Sequence, residues 1–194
     1  MLMTPPADSA RIALAAELER AFLDACHLDV EALKPGNVGL HGSGHRMQAA
    51  DFIDSATAAA GPLCRIDATV GERIEDAMEA TWRAVRCNTN LGIVLGCAPV
   101  AHAVLNRQCD ETLRNSLERT LDALTVTDAS HAYAAIRLAQ PAGLGRREEH
   151  DVANEPCITL LGAMRAAGHR DSIAGLYAEG YALVFDQLLP TYIA

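Results

Sequence analysis

The chain has 194 residues, 50% hydrophobic and 21% charged, a balance that suits one globular domain with a continuous core and excludes a disordered polymer. A net charge of −9 leaves no broad basic surface for nucleic acid or anionic lipid, although a local set of donors can still hold a small phosphate compound. Six cysteines (Cys26, Cys64, Cys87, Cys97, Cys109 and Cys157) stand far apart without a C-x-x-C, which excludes a zinc knuckle and a redox pair and agrees with a reducing cytoplasm.

Aromatic residues amount to 4%, alternating segments are few, and Ala, Leu, Glu and Arg are abundant, so the predicted fold class is all-α. The predicted architecture is a single-domain multi-helix bundle over 1–194 with its functional loops at one end. From residue 9 to about 27, Ile12, Ala15, Ala16, Leu18, Phe22, Leu23 and Cys26 recur at helical spacing. The segment KPGNVGLHGSGHRM at 34–47 carries four glycines and a proline and is predicted to be a long loop. Residues 48–60 form a small-residue helix closed by Gly61 and Pro62, and Gly71 precedes a helix whose face is Ile74, Ala77, Met78, Thr81, Trp82 and Val85.

After RCNTN comes the longest apolar run, Leu91–Leu105, which is too short for the roughly 20 residues of a membrane span and predicts a buried central helix. Its small residues Gly92, Gly96, Cys97 and Ala98 suit close backbone approach. Asp110 is the expected cap of the next helix, with Leu113, Leu117, Leu121 and Leu124 on one stripe. Thr127 or Asp128 opens a further helix with Tyr133 and Ile136, which Pro141, Gly143 and Gly145 end in a loop containing RREEHD. The last two helices are predicted at about 152–167 and from Asp171 onward, with Ile173, Leu176, Tyr177 and Val184 inward.

Asn88, Thr89 and Asn90 immediately precede the most apolar helix, where unpartnered N–H groups and the positive dipole end favour an anion. A simple cap needs one of these side chains, and three exceed it. In the first loop, Lys34 brings a charge, the glycines from Gly36 onward allow close backbone approach, and Asn37, His41, His45 and Arg46 add donors suited to phosphate. His41 and His45 have no third ligand nearby, so zinc is not expected, and an irregular connector with solvent-facing histidines remains the alternative. Carboxylates stand at Asp29, Glu31, Asp51, Asp54, Glu148, Glu149 and Asp151. Mg2+ with a nucleotide needs only one or two of them.

The segment E-x-x-KPGNV-x-x-H-x-x-GH-x-M at 31–47, followed by CNTNLG at 87–92, resembles the triphosphoribosyl-dephospho-CoA synthase family. Lys34, Pro35, Gly36, Val38, Gly44, His45, Met47, Asn88, Thr89 and Gly92 keep its pattern. Leu33 and Arg46 depart from the first motif, and Asn90 and Leu91 stand where the later one has histidine and lysine. The resemblance implies an all-helical transferase that moves the 5-triphosphoribosyl group of ATP to 3-dephospho-CoA with release of adenine. Its partners would be small nucleotide and coenzyme substrates, and a homo-oligomer is left open.

By the same resemblance, Lys34, Gly36, Asn37, His41, Asn88, Thr89 and Asn90 would bind the nucleotide. Glu31, Asp51 and His45 are the candidate catalytic groups, with Glu31 or Asp51 as base, and Asp51 and Asp151 the candidate Mg2+ ligands. The family's usual C-terminal portion would be lacking. Two alternatives stay open at this point: a coenzyme-biosynthesis protein of a divergent subfamily, for example in pterin-linked one-carbon metabolism, and a non-catalytic nucleotide-binding or helical interaction protein.

Overall fold

The computed structural model describes residues 7–32, 48–141 and 150–193. Among them the regular elements are all helical, as the composition predicts: α1 (Ala7–Glu31), α2 (Ala49–Cys64), α3 (Val70–Val85), α4 (Leu91–Leu105), α5 (Leu113–Asp122), α6 (Val126–Ala139), α7 (Leu160–Ala167), α8 (Ser172–Ala178), a π-helical turn at Val184–Leu188 and α9 (Leu189–Ile193). One cluster of buried side chains draws on α1 through α8.

α4 is apolar on every side and lies in the middle, packed against α1, α2, α3, α5, α6 and α8. Its Pro99 has no N–H, so the carbonyl of Leu95, four residues earlier, loses its helical donor. The buried Tyr177 of α8 supplies the replacement: its hydroxyl donates to that carbonyl at 2.7 Å, and the Tyr181 hydroxyl donates to the Gly96 carbonyl at 2.8 Å. A Cβ on Gly96 would meet nothing within 4 Å, so neither these hydroxyls nor a neighbouring helix requires glycine there, contrary to the close approach its small size suggests.

Several helix ends differ from the sequence expectation. α2 continues through Gly61 and Pro62 to Cys64, because Leu63 and Cys64 are buried and hold the last turn in place. That last turn is also met by Arg73, which is wholly buried, donates to the Leu63 carbonyl at 2.7 Å and has its guanidinium pKa pushed down to about 10 by burial. Asp110 does not cap α5. It takes a left-handed conformation with φ 66°, and the Thr112 hydroxyl accepts from the Asn115 N–H instead.

α6 is capped by Thr125, not by Thr127 or Asp128, and Asp128 closes a capping box from the third helical position. Residues 151–159 precede α7 as an irregular run containing Pro156, and Thr159 caps at the point where the chain is free to turn. α8 stops at Ala178, after which Gly180 and Tyr181 both take positive φ before the π-helical turn.

The directions of the helices gather one set of ends. Arg11 near the start of α1 pairs with Asp67 in the α2–α3 turn at 2.8 Å, so α1 runs antiparallel to α2 and finishes beside the start of α2. α2 and α3 form a hairpin, and Thr81 near the end of α3 bonds Asn90 at the start of α4. On the other flank, the Gly71 N–H donates to Asp128 at 2.8 Å and Glu75 contacts His131, which sets α6 parallel to α3. A Cβ on Gly71 would lie 2.6 Å from the Asp128 Cα, so only glycine permits this approach. The ends of α1, α3 and α6 and the starts of α2 and α4 therefore share one end of the molecule.

Candidate functional site

At that end the start of α4 is built from three consecutive polar residues with three different tasks. The Asn88 side-chain oxygen accepts from the Leu91 N–H at 3.2 Å, which is the work of a helix cap. The Asn90 amide nitrogen donates to the Thr81 hydroxyl at 3.0 Å, so one of its two N–H groups is engaged inside the protein. The Asn90 side-chain oxygen and the Thr89 hydroxyl are buried without a hydrogen-bond partner. Asn90 is only 4% exposed, and an unpaired buried polar atom costs about 1–3 kcal/mol, so these two atoms are unusual among polar groups of a folded chain. The N–H groups of Gly92 and Ile93 follow in the first turn and have no intrahelical acceptor, as at any helix start.

Leu91 points the other way. It is 7% exposed and belongs to the core cluster, which removes it from the polar side of the helix start. The reason is positional: with Val94, Leu95 and Ala98 it completes the inward stripe of α4.

Asp51 occupies the first turn of α2, where one carboxylate oxygen accepts from the Gln48 N–H at 2.8 Å. Its charge reaches Cys87 in the α3–α4 connection: burial first, and then Asp51, pushes the Cys87 thiol pKa up. Asp51 thus lies within electrostatic range of the α3–α4 connection that carries Asn88–Asn90. Glu31 is the last residue of α1 and is exposed at the same end.

Asp151 is buried, accepts from the Ala153 N–H at 2.8 Å, and lies next to Tyr133, whose hydroxyl donates to the His150 carbonyl. Tyr133 sits midway along α6, so Asp151 is set back from the helix end that carries Asn90. Among the described residues no three metal-ligating side chains converge. Lys34, Gly36, Asn37, His41 and His45 lie outside the described residues, as do Glu148 and Glu149.

Sequence reasoning marks Asn88, Thr89 and Asn90 as a group but misses Thr81, which decides which Asn90 atom is left over. Thr81 is wholly buried on the α3 face otherwise made of Ile74, Ala77 and Met78. A hydroxyl on an apolar stripe is the signal that could have pointed to a buried polar contact.

A model of the CitG family, described as ATP:dephospho-CoA triphosphoribosyl transferase, matches residues 15–194, nearly the whole chain. The chain belongs to this family. No curated protein and no solved structure gives a significant match. A CitG-family protein is a transferase that uses ATP and dephospho-CoA, so an all-helical fold, small-molecule substrates and the absence among the described residues of any helix long and apolar enough to cross a membrane fit together. By the motif resemblance noted above, the core residue Leu91 stands in the place of a lysine and Asn90 in that of a histidine, with one amide N–H of Asn90 held by Thr81.

Proposed function

We propose that this chain moves the 5-triphosphoribosyl group of ATP to a ribose hydroxyl of 3-dephospho-CoA, or of a closely related acceptor, in the cytoplasm. The family match over residues 15–194 is the observation that carries the reading. In the reaction the bond between the ribose anomeric carbon and the adenine nitrogen breaks, and a bond from that carbon to the acceptor oxygen forms. The hydroxyl proton is released and adenine leaves with a proton, so the step balances without any redox partner. The transition state has oxocarbenium character, which calls for a carboxylate or base near the anomeric carbon.

In this reading Glu31 or Asp51 takes the hydroxyl proton, assisted by His45, and the triphosphate is held by Lys34, His41, the backbone around Gly36 and Asn37, and the Asn88–Asn90 helix start. Lys34 and the first-turn N–H groups bind phosphate oxygens. Asp51 commits one carboxylate oxygen to Gln48 and keeps the other, and Mg2+ beside a triphosphate asks for one or two protein carboxylates, of which Asp51 would provide one; Asp151, set back along α6, does not share this end with it. When bound, the ion would neutralise triphosphate charge.

A thermal-shift titration tests the reading. ATP with Mg2+ should raise the melting temperature, and dephospho-CoA should add to that shift. A protein whose melting temperature neither compound moves is not this transferase.

A further inference from the structure

We infer that the Asn90 carboxamide oxygen reads a hydrogen-bond donor of the nucleotide, an O–H or N–H, and is not itself a phosphate contact; the inference rests on the nucleotide-transferase reading above. A helix start is expected to present donors to an anion, but the unpartnered atom of the Asn90 side chain has the opposite polarity. One of its two amide N–H groups donates to the wholly buried Thr81 hydroxyl at 3.0 Å, which fixes the carboxamide. The carboxamide oxygen, in a side chain 4% exposed, is without a partner. An amide oxygen can only accept, and it repels a phosphate oxygen brought to the same distance. The neighbouring Thr89 hydroxyl, also buried and unpartnered, can accept or donate and completes a pair suited to a neutral polar group.

Gly92 follows this pair in the chain. It is exposed at the second helical position, and even a Cβ there would meet nothing nearer than Ile173 Cγ1 at 3.9 Å. Phosphate oxygens on the first-turn N–H groups and a neutral donor on Asn90 are compatible on one nucleotide. On ATP the neutral donors are the two ribose hydroxyls and the 6-amino group of adenine. All are the same chemistry to an amide oxygen, and the experiment separates them.

The experiment is equilibrium binding, with Mg2+ throughout, of wild type and Asn90→Ala to ATP, 2′-deoxy-ATP, 3′-deoxy-ATP and purine riboside triphosphate, which lacks the 6-amino group. Wild type should bind one of the three analogues about tenfold more weakly than ATP, and that analogue identifies the donor. Asn90→Ala should bind ATP about tenfold more weakly than wild type does, yet bind that analogue and ATP alike. Equal weakening of all four ligands by the substitution overturns the inference. So does a wild type that binds all four equally, a result that needs no variant to fold and leaves the nucleotide reading standing. A wild type that binds none of the four removes both.

Discussion

The Tyr177 hydroxyl donates at 2.7 Å to the Leu95 carbonyl, the α4 acceptor that Pro99 deprives of its helical partner. The central helix of the bundle thus depends on a side chain 82 residues away for its hydrogen bonding. Tyr177→Phe should lower unfolding free energy by about 1–3 kcal/mol, the cost of an unsatisfied buried acceptor, while changing packing little. In a Pro99→Ala background the helix regains its own N–H, and the same substitution should cost less than half as much in urea denaturation. Equal costs in both backgrounds would mean that Tyr177 does not compensate for Pro99.

Leu91 belongs to the core although it follows the polar segment directly. Leu91→Lys, which restores the residue type of the family motif, would place an ammonium among Val94, Leu95 and their neighbours. We expect it to destabilise the chain by about 2–3 kcal/mol, the lost burial of a leucine side chain offset in part by the lysine stem reaching outward. Unchanged stability, together with tighter ATP binding, would place residue 91 on the ligand side of the helix.

His102 gives stability a pH dependence whose sign is fixed by its surroundings. Burial pushes its imidazole below the ordinary 6.5, against the smaller opposing effect of the Ala68 carbonyl 3.2 Å from Nδ1. The unfolded chain therefore takes up the proton first. The contribution of neutral His102 is fully present above about pH 6.5 and is lost as the pH falls from there to the folded-state pKa. The urea midpoint should drop between about pH 7 and pH 5, and His102→Gln should flatten that drop. A midpoint equally pH-dependent in the variant would assign the effect to other groups.

The all-helical class was legible because Ile74, Ala77, Met78 and Thr81, or Leu113, Leu117 and Leu121, recur at a spacing that survives folding as a buried face. The α6 cap is misread for a local reason. Thr125 with Asp128 writes a capping box, whose acidic member at the third helical position resembles a cap itself. Pro62 inside α2 was not legible, since the burial of Leu63 and Cys64 that carries the helix past it is a tertiary effect.

At the candidate site the order Asn88, Thr89, Asn90 announced a helix start. Which atoms remain for a ligand depends on Thr81, nine residues earlier and buried in another helix. The polarity of the site was therefore hidden from the sequence even where its position was plain. The same holds for the charge of Asp51 at Cys87, which is felt there because α2 and α3 form a hairpin.

Adenine release from ATP, followed with purified protein and Mg2+ in the presence and absence of dephospho-CoA, tests the transfer chemistry directly. The account predicts free adenine and triphosphoribosyl-dephospho-CoA in equal amounts, and adenine release that depends on the acceptor. ATP that binds but yields no adenine with dephospho-CoA, or yields only ADP or AMP, would contradict it.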